Sequence, residues 1–244
     1  MRRRDAVIFD VDGTLAETER DGHRVAFNRA FAEAGLPWRW DERLYGELLQ
    51  VTGGRERIAR FAQRFCPQWL QDDRADERIA ALHRRKNEHY AAIVEAGGLQ
   101  LRPGVACLLD GLAAAGIRLA VATTTSRANL DVLLRTTLGA AAAERFEVTV
   151  CGEDVVRKKP DPEAYLLALR HLQLPATRCL AVEDSASGLH SALAAGVPTV
   201  IVRSLYTRDE DLGGALRVFD GYATGAMSDG DGRRLGASFF TAGD

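Results

Sequence analysis

Asp10 and Asp12 lie two residues apart at the end of an apolar run, "AVIFDVDGT" (6–14), with Gly13 directly behind them. Carboxylates held that close repel unless a cation lies between them or one carries a proton. A second acidic pair, Glu183 and Asp184, ends another apolar run, "CLAVED" (179–184). Thr123, Thr124, Thr125 and Ser126 follow a third run, and Lys158 and Lys159 stand in "VVRKKPDP" behind a fourth. Acids, hydroxyls and a lysine gathered in one place suit a phosphoryl group with a divalent cation. A phosphate monoester is a dianion, so an anionic nucleophile can approach only when its charge is offset. Mg²⁺ does this with a few carboxylates, phosphate oxygens and water. On this reading Asp10 and Asp184 supply side-chain ligands. Asp12 offers its backbone carbonyl to the metal and turns its carboxyl to the leaving group. Lys159 and the Thr123 hydroxyl hold the phosphoryl oxygens, where charge spreads in the transition state. Gly13 lets the chain turn sharply after the strand.

The elements that must position these groups are legible as short apolar runs: 6–10, 118–124, 146–152, 179–184 and 198–203. They are continuous rather than alternating, as in strands buried on both faces of a parallel sheet. Helical segments separate most of them. "GVACLLDGLAAAG" ends in Gly116 and "SGLHSALAAG" in Gly196, each placed as the residue after a helix C-cap. "DPEAYLLALRHL" is expected to open with Asp161 as N-cap and Pro162 at the first helical position. The alternation predicts an α/β fold with an open parallel, Rossmann-like sheet. In such sheets ligands bind at the carboxyl ends of the strands, where all the residues above fall.

One interval breaks the rhythm. Residues 17–98 contain no strand-like run. Segments 23–35, 41–50, 55–65 and 74–98 are amphipathic at helical spacing. The expected division is therefore an α/β core of residues 1–16 and 99–244, carrying an inserted helical domain of residues 17–98. The stretch after Gly221 is Gly- and Asp-rich and is expected to be irregular.

The 244 residues include 32 basic and 34 acidic side chains, a net charge of −2, so neither nucleic acid nor a membrane surface is favoured as partner. Cys66, Cys107, Cys151 and Cys179 are far apart with no zinc-ligand spacing and read as reduced thiols of a cytoplasmic protein. Arg2, Arg3 and Arg4 precede an apolar run too short for an export signal, and no run is long enough to span a bilayer.

The whole pattern resembles the haloacid dehalogenase-like (HAD) hydrolase superfamily over nearly the full chain. "DVDGT", "VATTTS", "KKPDP" and "VEDSASG" are similar to its four motifs in order and spacing. The helical insertion resembles a C1-type cap, as in β-phosphoglucomutase-like phosphatases. "TLAETE", "TGGRERIARF" and "KKPDPEAY" resemble the CbbY subfamily more closely. The resemblance implies a Mg²⁺-dependent phosphatase acting on a sugar mono- or bisphosphate, such as a ketopentose bisphosphate like xylulose 1,5-bisphosphate. Asp10 would form an aspartyl-phosphate. Asp12 would give a proton to the leaving oxygen and then take one from water, its own proton kept by nearby negative charge. Asp184 would hold Mg²⁺ with Glu183 as ligand or support. A monomer is the expected state. A phosphomutase using the same residues is the alternative, with Thr14 leaning toward hydrolysis. A non-catalytic phospho-receiver is disfavoured by the order of the acids and by the insertion.

Other residues carry two readings each. Thr52, Gly53, Gly54 and Arg55 either make a helix start or grip a second phosphate at a helix N-terminus, and the two are compatible. His23 is a hinge or proton-shuttling histidine or a structural one. Glu17 is expected to face the cleft and bond sugar hydroxyls. Thr123 to Ser126 also serve as helix caps, with Thr124 beside the substrate, and Asp184 is a candidate N-cap. Trp38 and Trp40 read as cap packing, Lys158 as a surface residue, and "HRRKNEH" (83–89) as a solvated helix face.

Overall fold

The computed structural model describes residues 4–224 and 233–241. Five strands stand where the apolar runs place them: β1 (Ala6–Phe9), β2 (Arg118–Ala122), β3 (Phe146–Val150), β4 (Cys179–Glu183) and β5 (Thr199–Val202). A sixth, β6 (Arg217–Phe219), completes a parallel sheet of order β3-β2-β1-β4-β5-β6. Alternate residues of β1 feed two cores. Val7 and Phe9 enter one hydrophobic cluster, Ala6 and Ile8 the other. Both faces of the sheet are therefore dry at its centre, along β1 and β4, which is why those strands read as unbroken apolar runs, whereas the edge strand β3 leaves Glu147 exposed.

The insertion is helical: a π-helical turn Glu19–His23 runs into α1 (Arg24–Glu33), followed by α2 (Glu42–Leu48), α3 (Gly54–Phe65) and α4 (Ala75–Glu95). Trp38 and Trp40 are buried among Phe27, Phe31 and Phe61, so they pack the insertion. The insertion does not have one core to itself. Ala26, Tyr90, Ile93 and Val94 join the cluster under β1. Behind the insertion come α5 (Val105–Ala114), α6 (Arg127–Leu138), a short α7 (Ala140–Ala143), α8 (Glu163–Leu172) and α9 (Ala186–Ala194) around the sheet. Gly116 and Gly196 follow the C-caps of α5 and α9 with positive φ of 69° and 75°.

Three local expectations shift. Pro162, not Asp161, is the N-cap of α8, though the Asp161 carboxylate still accepts from the Glu163 N–H. Ser185, not Asp184, caps α9, and Gly53, not Thr52, precedes α3. Of the stretch after Gly221, residues 225–232 and 242–244 lie outside the described residues, and the described part is less irregular than its composition suggests. β7 (Gly221–Tyr222) pairs in parallel with β8 (Arg234–Leu235), and α10 (Ser238–Thr241) follows. Among the described residues no helix is long and apolar enough to cross a membrane.

Candidate active site

The sheet order reverses direction between β1 and β4, and open α/β sheets form their ligand crevice at such a switch point. Phe9 pairs with Val182, and the Asp10 N–H donates to the Val182 carbonyl at 3.0 Å. The next residues on the two strands, Asp10 and Glu183, therefore leave the sheet side by side. Asp10, Glu183 and Asp184 bring carboxylate oxygens within 4.8 Å of one another, and all three residues are buried.

Lys159 reaches this cluster from the loop after β3. Its Nζ donates to Asp10 Oδ1 at 2.7 Å and to Glu183 Oε1 at 2.5 Å. Tyr165 on α8 donates its hydroxyl to the same Glu183 oxygen at 2.7 Å, and the Asp184 N–H donates to Glu183 Oε2 at 3.3 Å. Burial works against the charge on Lys159, but Asp10 and Glu183 outweigh it and raise its pKa. Burial drives the Asp10 carboxyl up to about 8; Lys159 pulls against the rise, while Glu183 and Asp12 add to it. Burial, Asp10 and Glu183 likewise hold Asp184 well above the ordinary carboxylate range. Three buried acids face one ammonium, which is why Asp10 and Asp184 are driven toward their protonated forms. An all-oxygen donor set with more acids than bases fits a hard divalent cation, which would take the place of those protons.

Asp12 differs from expectation. Its carboxylate accepts hydrogen bonds from the Thr18 hydroxyl and from His23 Nε2, the latter at 3.0 Å. His23 Nδ1 lies 2.8 Å from the Lys86 Nζ, and its ring stacks on Tyr90. Burial alone would raise the Asp12 pKa. His23, Thr18 and Lys86 reverse this and lower it to about 2. In this arrangement Asp12 is ionised, because His23, Thr18 and Lys86 together outweigh its burial.

Two cavities open from this point. One, of about 490 Å³, is lined by Asp10, Asp12, Lys159 and Asp184 on the core side and by Glu17, Thr52 and Arg57 on the other. The second, of about 390 Å³, runs between insertion and core past Gly53, Gly54, Arg55, His83, Thr124 and Lys158. Asp12, Glu19, Arg57 and Thr124 line both. Thr124 thus faces the cavities. The Thr123 hydroxyl is buried and accepts from the Thr125 N–H at 3.2 Å. Ser126 caps α6. Glu17 lies at the rim with its carboxylate 3.6 Å from the Arg102 Nε. His23 lines the second cavity, but both its ring nitrogens are occupied by Asp12 and Lys86.

Several groups at the site escaped the sequence reading. Lys158 is not a solvated partner of Lys159. Its ammonium pairs with Glu56 on α3 at 2.6 Å and joins the core to the insertion. The "HRRKNEH" segment is not wholly a solvated face: Lys86 is buried and His83 lies against Gly54. Its signal was present, since Ile79, Leu82, Lys86, Tyr90 and Ile93 form one helical stripe and Lys86 stands in it. Arg57 is buried and donates to the Tyr45 hydroxyl at 3.0 Å, behind the exposed Arg55.

The geometry agrees with relatedness. The chain is 48% identical over 219 residues to the protein CbbY of Cereibacter sphaeroides, covering 90% of this chain and 93% of that protein. A crystal structure of CbbY from Rhodobacter sphaeroides in complex with phosphate superposes with a TM-score of 0.81 at 47% identity, covering 89% of this chain and 94% of that one. A mutant of that enzyme in complex with xylulose-(1,5)bisphosphate matches with the same TM-score at 46% identity and the same coverage. The family model for haloacid dehalogenase-like hydrolases matches residues 4–196, which span β1 through α9 and hold every acid of the cluster, and this chain belongs to that family.

Proposed function

We propose that this phosphatase hydrolyses a small sugar bisphosphate, with a ketopentose bisphosphate such as xylulose 1,5-bisphosphate as the leading candidate, using Mg²⁺ held by Asp10, Asp184 and the Asp12 carbonyl. The observation that carries the reading is the buried cluster of Asp10, Glu183 and Asp184 with Lys159 as its single bonded ammonium, opening into a cavity that continues to a second set of cations. When bound, Mg²⁺ offsets the charge of the carboxylates and of the phosphoryl group.

Asp10 is the nucleophile. Lys159 occupies its Oδ1, which leaves Oδ2 to attack phosphorus while the bond to the leaving oxygen breaks. Glu183, held by Lys159, Tyr165 and a backbone N–H, orients the lysine more than it ligates metal. Thr123 and Thr124 flank the phosphoryl group from the end of β2. Asp12 is ionised here and so stands ready as base toward the water that cleaves the aspartyl-phosphate. To serve as acid it must leave His23 and Thr18 and take up a proton, and an arriving phosphate dianion favours that protonation. The second phosphate docks beside Arg55, His83 and Lys158, near the Gly53 and Gly54 amides at the start of α3. Glu17 reaches the sugar from the rim. Residues 17–98 act as a cap that closes over the core and excludes water. The four free cysteines support a reducing, cytoplasmic setting.

The test is phosphate release from matched sugar mono- and bisphosphates with Mg²⁺. A kcat/KM at least about tenfold higher for the bisphosphate is expected from one extra charge-assisted contact. Equal values would remove the second-phosphate site, and an isomerised sugar phosphate without free phosphate would make the enzyme a mutase.

A further inference from the structure

The turn that carries Asp12 and the turn that carries Asp184 are tied together by a residue outside the four motifs. Arg102 lies where the chain returns from the insertion. Its N–H donates to the Leu15 carbonyl at 2.9 Å, and the neighbouring Leu101 bridges Ala16. Its buried guanidinium makes charge-assisted bonds to three carbonyls. Nη1 donates to Gly13 and, at 3.1 Å, to Val202; Nη2 donates to Arg203 at 2.6 Å. Gly13 follows Asp12 directly. It also abuts Asp184, since a Cβ there would sit 2.2 Å from Asp184 Oδ2. Val202 and Arg203 lead into Ser204, whose Cβ, like the Asp184 carboxyl, lies against Gly13. One planar fork therefore spans the turn after β1 and the strap after β5, with both ends of the acid cluster resting on it.

A second group backs the fork. Tyr222 on β7 is buried, places its ring 5.4 Å from the Arg102 guanidinium carbon and donates its hydroxyl to the Thr14 carbonyl at 2.9 Å. The close approach of β7 to this corner is enforced by Gly104, whose φ of +92° and missing Cβ admit the Ala223 carbonyl. β7 thus supports the first catalytic turn from behind.

We propose that Arg102, backed by Tyr222, is a positioning residue for the metal site: it sets the spacing between the Asp12–Gly13 turn and Asp184. The proposal rests on the assignment of the cation to Asp10 and Asp184. A lysine at 102 cannot replace it, because a single ammonium does not bridge carbonyls on two segments in fixed geometry.

The test measures metal binding rather than turnover. Mn²⁺ is titrated into the full-length protein and free aqueous Mn²⁺ is read by electron paramagnetic resonance. Arg102→Met and Arg102→Lys should each raise the Mn²⁺ dissociation constant by about tenfold or more, the scale of one lost charge-assisted bond. The metal-free circular-dichroism spectrum should be retained, and because Arg102 also pairs with Glu17 at the rim, Glu17→Gln serves as the control: it should leave the Mn²⁺ dissociation constant within about twofold of the parent. Tyr222→Phe, which removes one hydroxyl, should shift the constant in the same direction by about threefold, the scale of a single neutral bond. Folded Arg102 variants that bind Mn²⁺ like the parent would overturn the proposal. If they do not fold, an unshifted constant in Tyr222→Phe overturns it. A parent that binds no Mn²⁺ would instead remove the underlying metal assignment.

Discussion

Gly188→Ala pits two opposing effects against each other. Gly188 lies in the first turn of α9, and replacing a helical glycine by alanine ordinarily gains about 1 kcal/mol. Here the new Cβ would fall 2.0 Å from the Glu183 carboxyl carbon and almost as close to both its oxygens. A flexible side chain could swing aside, but Glu183 is 1% exposed and held by Lys159, Tyr165 and the Asp184 N–H. Moving it breaks the bonds to Lys159 and Tyr165, about 3 kcal/mol or more together for a buried acceptor paired with an ammonium. The loss exceeds the helical gain by about 2 kcal/mol. For a chain of this length that lowers the melting temperature by about 4–8 °C. Lys159 also loses one of its two anchors, so kcat should fall by about tenfold, the effect of one misplaced donor. Thermal melting and p-nitrophenyl phosphate turnover with Mg²⁺ check both. A variant that melts higher than the parent with unchanged kcat would show that Glu183 is free to move, and would refute its role in holding the lysine.

Asp10→Asn should abolish turnover while leaving the circular-dichroism spectrum unchanged; residual phosphatase activity above about a thousandth of the parent would exclude Asp10 as nucleophile. Lys159→Ala should lower kcat/KM by about a hundredfold, near 3 kcal/mol of transition-state stabilisation, and a loss below tenfold would assign that role elsewhere. Arg55→Ala should raise KM more for a bisphosphate than for a monophosphate, whereas equal effects would make Arg55 structural. His83 sets an acid limit. Burial, Lys86 and Lys158 depress its pKa from 6.5 to about 3 against the pull of Glu56. Between those values the unfolded chain carries the proton and the folded one does not, so stability is lost as pH falls through that window, by at most about 1.4 kcal/mol per pH unit. His83→Gln should flatten that slope in denaturant titrations at pH 4 to 7, and an identical slope would show that His83 does not govern it.

The strands and the acids at their ends were legible because both are local signals. A strand dry on both faces must be a continuous apolar run, and the residue that follows it must lie at the sheet edge. Asp10, Glu183 and Asp184 needed no further information than this. The weak strand β6 was not legible, since its central position is half-exposed and its run is only three residues long. Nor was the cap of α3, because a glycine with φ of 100° gives way to the helix without a side-chain signature.

The sequence alone therefore determined the sheet, the helical insertion and the set of groups at the switch point, since each follows from periodicity within a few residues. Only the tertiary structure decided how those groups are charged and held. The Lys86–His23 contact joins residues 63 apart, the Lys158–Glu56 pair residues 102 apart, and the Arg102 bond to Val202 residues 100 apart. Each was decided by which helix or turn packs on which. Asp12 shows the consequence: its acidic neighbours in the chain argue for a raised pKa, and the histidine and lysine that the insertion folds against it lower it.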